Sequence, residues 1–262
     1  MLFRIVSELL AQGFNVILHG RNEDKLKKVI SELQIVYPNQ SMSTFVWDAT
    51  QTLEPGGKNL ANAVIEAIGS RRLTVLVNNV GYTSTYHTFA SQSPLEIDMV
   101  INLQVSFLAH LTRALIPTLA SNQPALIINV GGLTRLFPAP FLAVHSGGKA
   151  FLMGFSRALA IEFELVRDPP IDIECITVDV HNVATNSNGS TPSFLTPDAK
   201  TMGKAIIGVV GCGKRFVTAY WKAELTEHVL RCMPHSWMDS ILAKEMIEMR
   251  ARELARARGD SK

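Results

Sequence analysis

Cysteine is scarce in this sequence: three residues in 262, at Cys175, Cys212 and Cys232. They are far apart and form no CxxC pair, which suits a reducing compartment better than a disulfide scaffold. Long hydrophobic runs are also missing. The longest, such as Ala205 to Cys212, stop at about eight residues, against the roughly 20 that a membrane span needs. No transmembrane span is therefore expected. No leader pattern is visible either, because Met1-Leu2-Phe3-Arg4 passes directly into helical spacing. Neither sign of charge dominates: 25 Lys+Arg face 23 Asp+Glu, a net +2, which argues against a nucleic-acid partner. The seven histidines show no paired metal spacing, so no metal is expected. There is no internal repeat and no low-complexity segment.

What is present suits one domain with a sizeable core. Hydrophobic residues make up 47% and charged residues 18%, which excludes overall disorder. The chain opens inside a helix, with Leu2, Ile5, Val6, Leu9 and Leu10 at helical spacing and Gly13 as the stop. Short apolar strands are read at Asn15–His19, Thr44–Trp47, Leu73–Asn78, Ala125–Val130, Ile171–Val178 and Phe216–Thr218. Helices fall between them: a charged one after Gly20-Arg21-Asn22 to about Val36, one over Leu60–Ile68, and a long one from Ser93-Pro94-Leu95-Glu96 to about Leu119. Another long helix covers Ala143–Leu165. After the irregular stretch at Asn186–Ser190, a helix follows Thr196-Pro197 and two more close the chain. Alternating helices and strands, several apolar on both faces, indicate an α/β fold: a doubly wound parallel sheet of the Rossmann type. Residues 1–262 are read as a single domain, with a core over 1–185 and a substrate loop and terminal helices over 186–262.

One motif is a decoy. Gly208-Val-Val-Gly-Cys-Gly213-Lys214 fits most of a P-loop, but Arg215 stands where the magnesium-binding Ser or Thr belongs. The glycine run also ends a helix and enters a strand, the reverse of a P-loop. Asn188-Gly-Ser190 is a glycosylation triplet without a leader. Arg250, Arg252, Arg256 and Arg258 read as a solvated helix face.

Four patterns occur in one order. Arg21 follows the first visible strand, and Asn78-Asn79-Val80-Gly81 ends the strand at 73–78. His145-Ser-Gly-Gly-Lys149 opens the second long helix, and Val183-Ala184-Thr185 follows the strand at 171–178. In this order the chain resembles the short-chain dehydrogenase/reductase family over nearly its whole length. Phe14–Asn22, Leu111–Leu115 and Phe141–Val144 resemble its very-long-chain 3-oxoacyl-CoA reductase and 17-beta-hydroxysteroid dehydrogenase branch.

The resemblance implies a ketone/alcohol oxidoreductase using NADP(H), in which a Tyr gives a proton to the carbonyl oxygen and a Lys four residues on lowers the Tyr pKa. A Ser polarises the carbonyl, and an Asn holds a proton-relaying water. Lys149 and Asn102 match the Lys and Asn; His145 stands at the Tyr position and Gly132 at the Ser position. Arg21 is expected to clamp an adenosine 2′-phosphate, which favours NADP(H). Asp48 is expected at the adenine, with Asn78, Gly81, Lys149 and Thr185 completing the cofactor side.

Two further departures stand out. Val180-His181 replaces a Pro-Gly pair. The family's first strand and TGxxxGxG turn would lie before Met1, so the sequence reads as truncated, and a missing central strand would leave two unpaired ladders. The chain is thus expected to be marginally stable or misfolded unless something fills that gap. The implied substrate is a small lipid-like or acyl molecule, such as a 3-oxoacyl-CoA or a steroid. The implied assembly is a homodimer through the helices near 94–119 and 143–165, and the implied setting is intracellular, cytoplasmic or peripheral to the endoplasmic reticulum membrane. Two expectations stand side by side: an impaired NADP(H)-linked reductase, and a pseudoenzyme without turnover.

Overall fold

A computed structural model describes residues 2–51, 59–81, 86–184 and 191–257. Thr185 and the 186–190 stretch therefore lie outside the described residues. The chain enters through helix α1 (Leu2–Ala11), which Gly13 ends with φ 90°, a conformation that costs glycine nothing. Strand β1 (Val16–Gly20) follows, then α2 (Glu23–Val36), capped by the Asn22 side chain on the Lys25 amide. Strand β2 (Met42–Val46) pairs with β1 in parallel, Val16 beside Met42.

The second half runs through α3 (Leu60–Ile68) and β3 (Val75–Asn78). Helix α4 (Pro94–Ile101) starts at Ser93, whose hydroxyl accepts from the Glu96 amide. The long helix predicted from Ser93 is not uniform: a π turn at Asn102–Ser106 separates α4 from α5 (Phe107–Ser121). A π turn holds an extra residue, and two side chains within it, Asn102 and Gln104, reach different partners. Strands β4 (Ala125–Val130) and β5 (Ile173–Asp179) flank α6 (Ala143–Leu165) in sequence. Then come α7 (Ala199–Gly208), β6 (Phe216–Thr218), α8 (Trp221–Arg231) and α9 (His235–Ala257). The glycine run at 208–213 does leave a helix and enter a strand, as the decoy reading requires.

No uninterrupted apolar run is long enough to span a membrane, but the 94–121 helical stretch is long and apolar enough by length and composition. Averaging across the turn reveals what run length hides. Its inner face, with Val100, Phe107, Leu111, Leu115 and Leu119, is packed in the core.

The fold is a doubly wound parallel α/β architecture, but its strands form two sheets, β1-β2 and β3-β4-β5-β6. Packing joins them: Phe45 of β2 and Trp47 just past it share a cluster with Val64 and Ile68 of α3, Leu76 of β3 and Leu111 of α5. Between β1 and β3 lies a cavity of about 680 Å³. Among the described residues no ladder bonds join β1 to β3, so the two unpaired ladders expected from the sequence face each other across an open seam.

Candidate active site

Helix α6 carries the central pair. Lys149 is buried, and its Nζ donates to the Val130 carbonyl at 3.0 Å. Burial pushes its pKa down, with Asp179 acting against that shift. One turn earlier, His145 Nδ1 lies 2.8 Å from Gln104 Nε2. An amide nitrogen only donates, so this ring nitrogen accepts. Gln104 comes this close to α6 because Gly148 has no Cβ; one built there would lie 2.5 Å from Gln104 Oε1. Gln104 was not foreseen from the sequence. The signal was Gly148, a glycine inside a helix with no turn to make.

Asn78 is buried at the end of β3, donating through Nδ2 to Thr112 Oγ1 at 3.1 Å and Asn129 Oδ1 at 2.7 Å. It ties β3 to α5 and β4. Asn78, Gln104, Gly148 and Lys149 line one small pocket of about 10 Å³, so these four converge. Asn102 points elsewhere, donating to the Thr50 carbonyl at 2.9 Å. Asp48 Oδ1 accepts from the Thr50 amide and hydroxyl at 3.0 and 2.8 Å, which fixes the turn after β2. Asn102 and Asp48 thus meet through Thr50 rather than at Lys149. Arg21 is exposed just past β1, and Gly81 is exposed past β3.

Gly132 has room for a side chain: a Cβ there would lie 3.7 Å from the Val180 carbonyl and 3.8 Å from Lys149 Cε. Gly131 has none, since its Cβ would collide with Asp179 Oδ1. We expect Gly131→Ala to destabilise by about 1–3 kcal/mol or more, and Gly132→Ala to change stability little. Urea unfolding of both variants checks this; equal midpoints would show that the Asp179 carboxylate moves aside freely.

Beyond these glycines lies a buried ionic network that sequence spacing does not announce. Arg135 Nε donates to Asp179 Oδ2 at 2.6 Å and its Nη2 to Glu227 Oε1 at 3.1 Å. Its guanidinium also sits 3.9 Å from the Phe216 ring centre. Glu227 accepts further from Thr218 Oγ1 at 2.9 Å and Arg231 Nη2 at 2.6 Å. His181 Nε2 is 3.5 Å from Glu227 Oε2. Burial opposes ionisation of Glu227, but His181, Arg231, Thr218 and Arg135 together hold its carboxyl far below the usual range. Asp179, buried without a second partner on Oδ1, is pushed up by burial despite Arg135. Asp179, His181 and Glu227 bring ligand atoms within 4.8 Å of one another. Two guanidinium groups already hold these carboxylates, so the cluster is an ion-pair network rather than a cation cage.

The sequence model of the family described as short chain dehydrogenase matches residues 3–193. The very-long-chain 3-oxoacyl-CoA reductase of Neurospora crassa is 26% identical, covering 97% of this chain and 77% of that protein. The one of Pyricularia oryzae is 27% identical over 82% of this chain and 64% of that protein, just under two thirds of its length. Among solved structures, a short-chain dehydrogenase from Sphingobium yanoikuyae in complex with NADPH superposes with a TM-score of 0.67 at 20% identity, covering 88% of this chain and 91% of that one.

Proposed function

The chain belongs to the short-chain dehydrogenase/reductase family, in the branch of the very-long-chain 3-oxoacyl-CoA reductases, and on that premise we propose that it binds NADP(H) and reduces a 3-oxoacyl-CoA-type or steroid-like ketone slowly. The observation that carries this reading is Lys149: an amine buried on α6, held on the Val130 carbonyl and lining one pocket with Asn78 and Gln104. Among the described residues no carboxylate contacts this amine, and a buried lysine is costly to keep for packing alone. Arg21 past β1 and Lys149 fit the two nucleoside ends of such a cofactor, whose contribution when bound is a hydride for the carbonyl carbon. The family resemblance supports assigning Gly81 and Thr185 to the cofactor side as well.

The carbonyl side is weaker. Gly132 offers no hydroxyl, and His145 already spends Nδ1 on Gln104. Those two positions favour a second reading, a cofactor-binding protein without turnover. The proposed setting is intracellular, cytoplasmic or at the endoplasmic reticulum surface, and the proposed assembly is a homodimer through α4–α5 and α6. Titration with NADPH, followed by its oxidation with a long-chain 3-oxoacyl-CoA, separates the readings. We expect saturable binding with slow oxidation that Lys149→Met abolishes. Binding without any oxidation supports the second reading, and no saturable binding overturns both.

A further inference from the structure

Three separate features converge on the ring of His145. The π turn at Asn102–Ser106 sends Asn102 to the Thr50 carbonyl and Gln104, two residues on, towards α6. Such turns inside helices are frequent at functional sites. Gln104 is buried, and its amide nitrogen meets His145 Nδ1 at 2.8 Å. Gly148 makes the room, since a Cβ there would lie 2.5 Å from Gln104 Oε1 and 3.0 Å from Gln104 Cβ. This contact fixes where the ring holds its proton. A neutral imidazole has one donor and one acceptor nitrogen, and the partner of one decides the state of the other. The amide nitrogen donates, so Nδ1 accepts and Nε2 carries the hydrogen. An imidazolium would set one N–H against another across 2.8 Å. Ring geometry directs Nε2 away from Gln104, and the half-buried ring stands one helical turn before Lys149.

We propose that Gln104 is a positioning residue that holds His145 in the neutral Nε2–H form, and that this N–H binds the ketone oxygen of the ligand as a hydrogen-bond donor. The ligand half rests on the ketone reading given above; the tautomer half does not. A neutral imidazole polarises a carbonyl without handing over its proton. The same contact therefore supplies ketone binding while leaving proton delivery weak, which fits slow reduction.

The test uses the full chain with 15N-labelled histidine at about pH 7.5, above the ordinary imidazole pKa of about 6.5. The ring signals of His145 are those that His145→Phe removes. We expect Nδ1 unprotonated and Nε2 protonated. Gln104→Glu replaces the donor by an acceptor, and Nδ1 then becomes protonated. Gly148→Ala pushes Gln104 off the ring, so that the Nδ1–H form appears beside the other; this second variant serves where Gln104→Glu does not fold. A parent ring protonated on Nδ1, or a tautomer that neither variant changes, overturns the proposal.

The ligand half is read without turnover, with NADP+ in place of NADPH and a long-chain 3-oxoacyl-CoA carrying 13C at its ketone carbon. Infrared difference spectra show the ketone stretch at lower wavenumber in the complex than in water-free solvent. In His145→Phe that shift is lost and the affinity falls about 2–12-fold, the worth of one neutral hydrogen bond. Binding to the parent chain with an unshifted ketone overturns the proposal and leaves the reductase reading standing. No binding of the acyl-CoA overturns both.

Discussion

Arg135→Met lowers the melting temperature by about 6–20 °C. Removing one member of a buried ionic cluster costs about 3–5 kcal/mol, and each kcal/mol is worth about 2–4 °C in a domain of this size. The cost arises because Asp179 and Glu227 remain behind, both nearly inaccessible, with Asp179 losing its 2.6 Å partner. Arg231→Met is the control. Its side chain is 49% exposed, so screening holds the expected change to about 1 kcal/mol or less. The pH dependence follows from Glu227, whose folded-state pKa is depressed below its usual 4.5. Its contribution is present above that usual value and is lost as the pH falls below it. Asp179 is raised by burial and runs the opposite way, so the acid loss is the part that Glu227 contributes. In Arg135→Met this acid loss should shrink, since part of what depressed Glu227 is gone. Calorimetry across pH 3–7 reads both effects, and an unchanged melting temperature at neutral pH would show that the cluster relaxes into water at little cost.

The second large effect is a gain. We expect the double variant His145→Tyr, Gly132→Ser to oxidise NADPH with a 3-oxoacyl-CoA at least about 10²-fold faster than the parent chain. A positioned general acid contributes roughly 10²–10⁴-fold and an oxyanion donor roughly 10²–10³-fold, so even partial recovery of either clears that mark. Gly132 accepts the hydroxymethyl group because its neighbours stand at ordinary contact distance and its backbone is extended, φ 180°. A tyrosine at 145 gains its low pKa from Lys149, already buried and positioned one turn on. The measurement is the steady-state rate per folded protein, with each single variant beside the double. A double variant that binds NADPH yet stays at the parent rate would place the defect elsewhere, in the seam or on the cofactor's pyrophosphate side.

The fold was legible because period and punctuation agree along this chain. Helices at 60–68 and 143–165 and the strand at 216–218 fall where apolar spacing puts them. The π turn was not legible, since Asn102 to Ser106 continue the same apolar period through a wider turn. At the site, Lys149, His145 and Asn78 were readable because each belongs to a short motif with fixed spacing. Gln104, Arg135 and Glu227 were not. Their importance comes from long-range neighbours, 41, 44 and 92 residues away along the chain, and no local pattern encodes those distances. Only Gly131 and Gly148 hinted at them, as small residues making room for someone else's side chain.

The split sheet also bears on how the molecule opens. Among the described residues no ladder bonds join β1-β2 to β3-β6, so the two pieces are coupled by side-chain packing around Phe45, Trp47 and Leu111 and by bonds such as that from Asn102 to the Thr50 carbonyl. Such contacts transmit cooperativity less firmly than a continuous ladder. The β1–β2 lobe can therefore detach as its own unit, exchanging its amide hydrogens before the strands built around Ile127 and Ile176. Arg21 and Asp48 ride on that lobe, while Lys149 and Asn78 ride on the other. A nucleotide held by residues of both lobes would therefore act as a clasp between them.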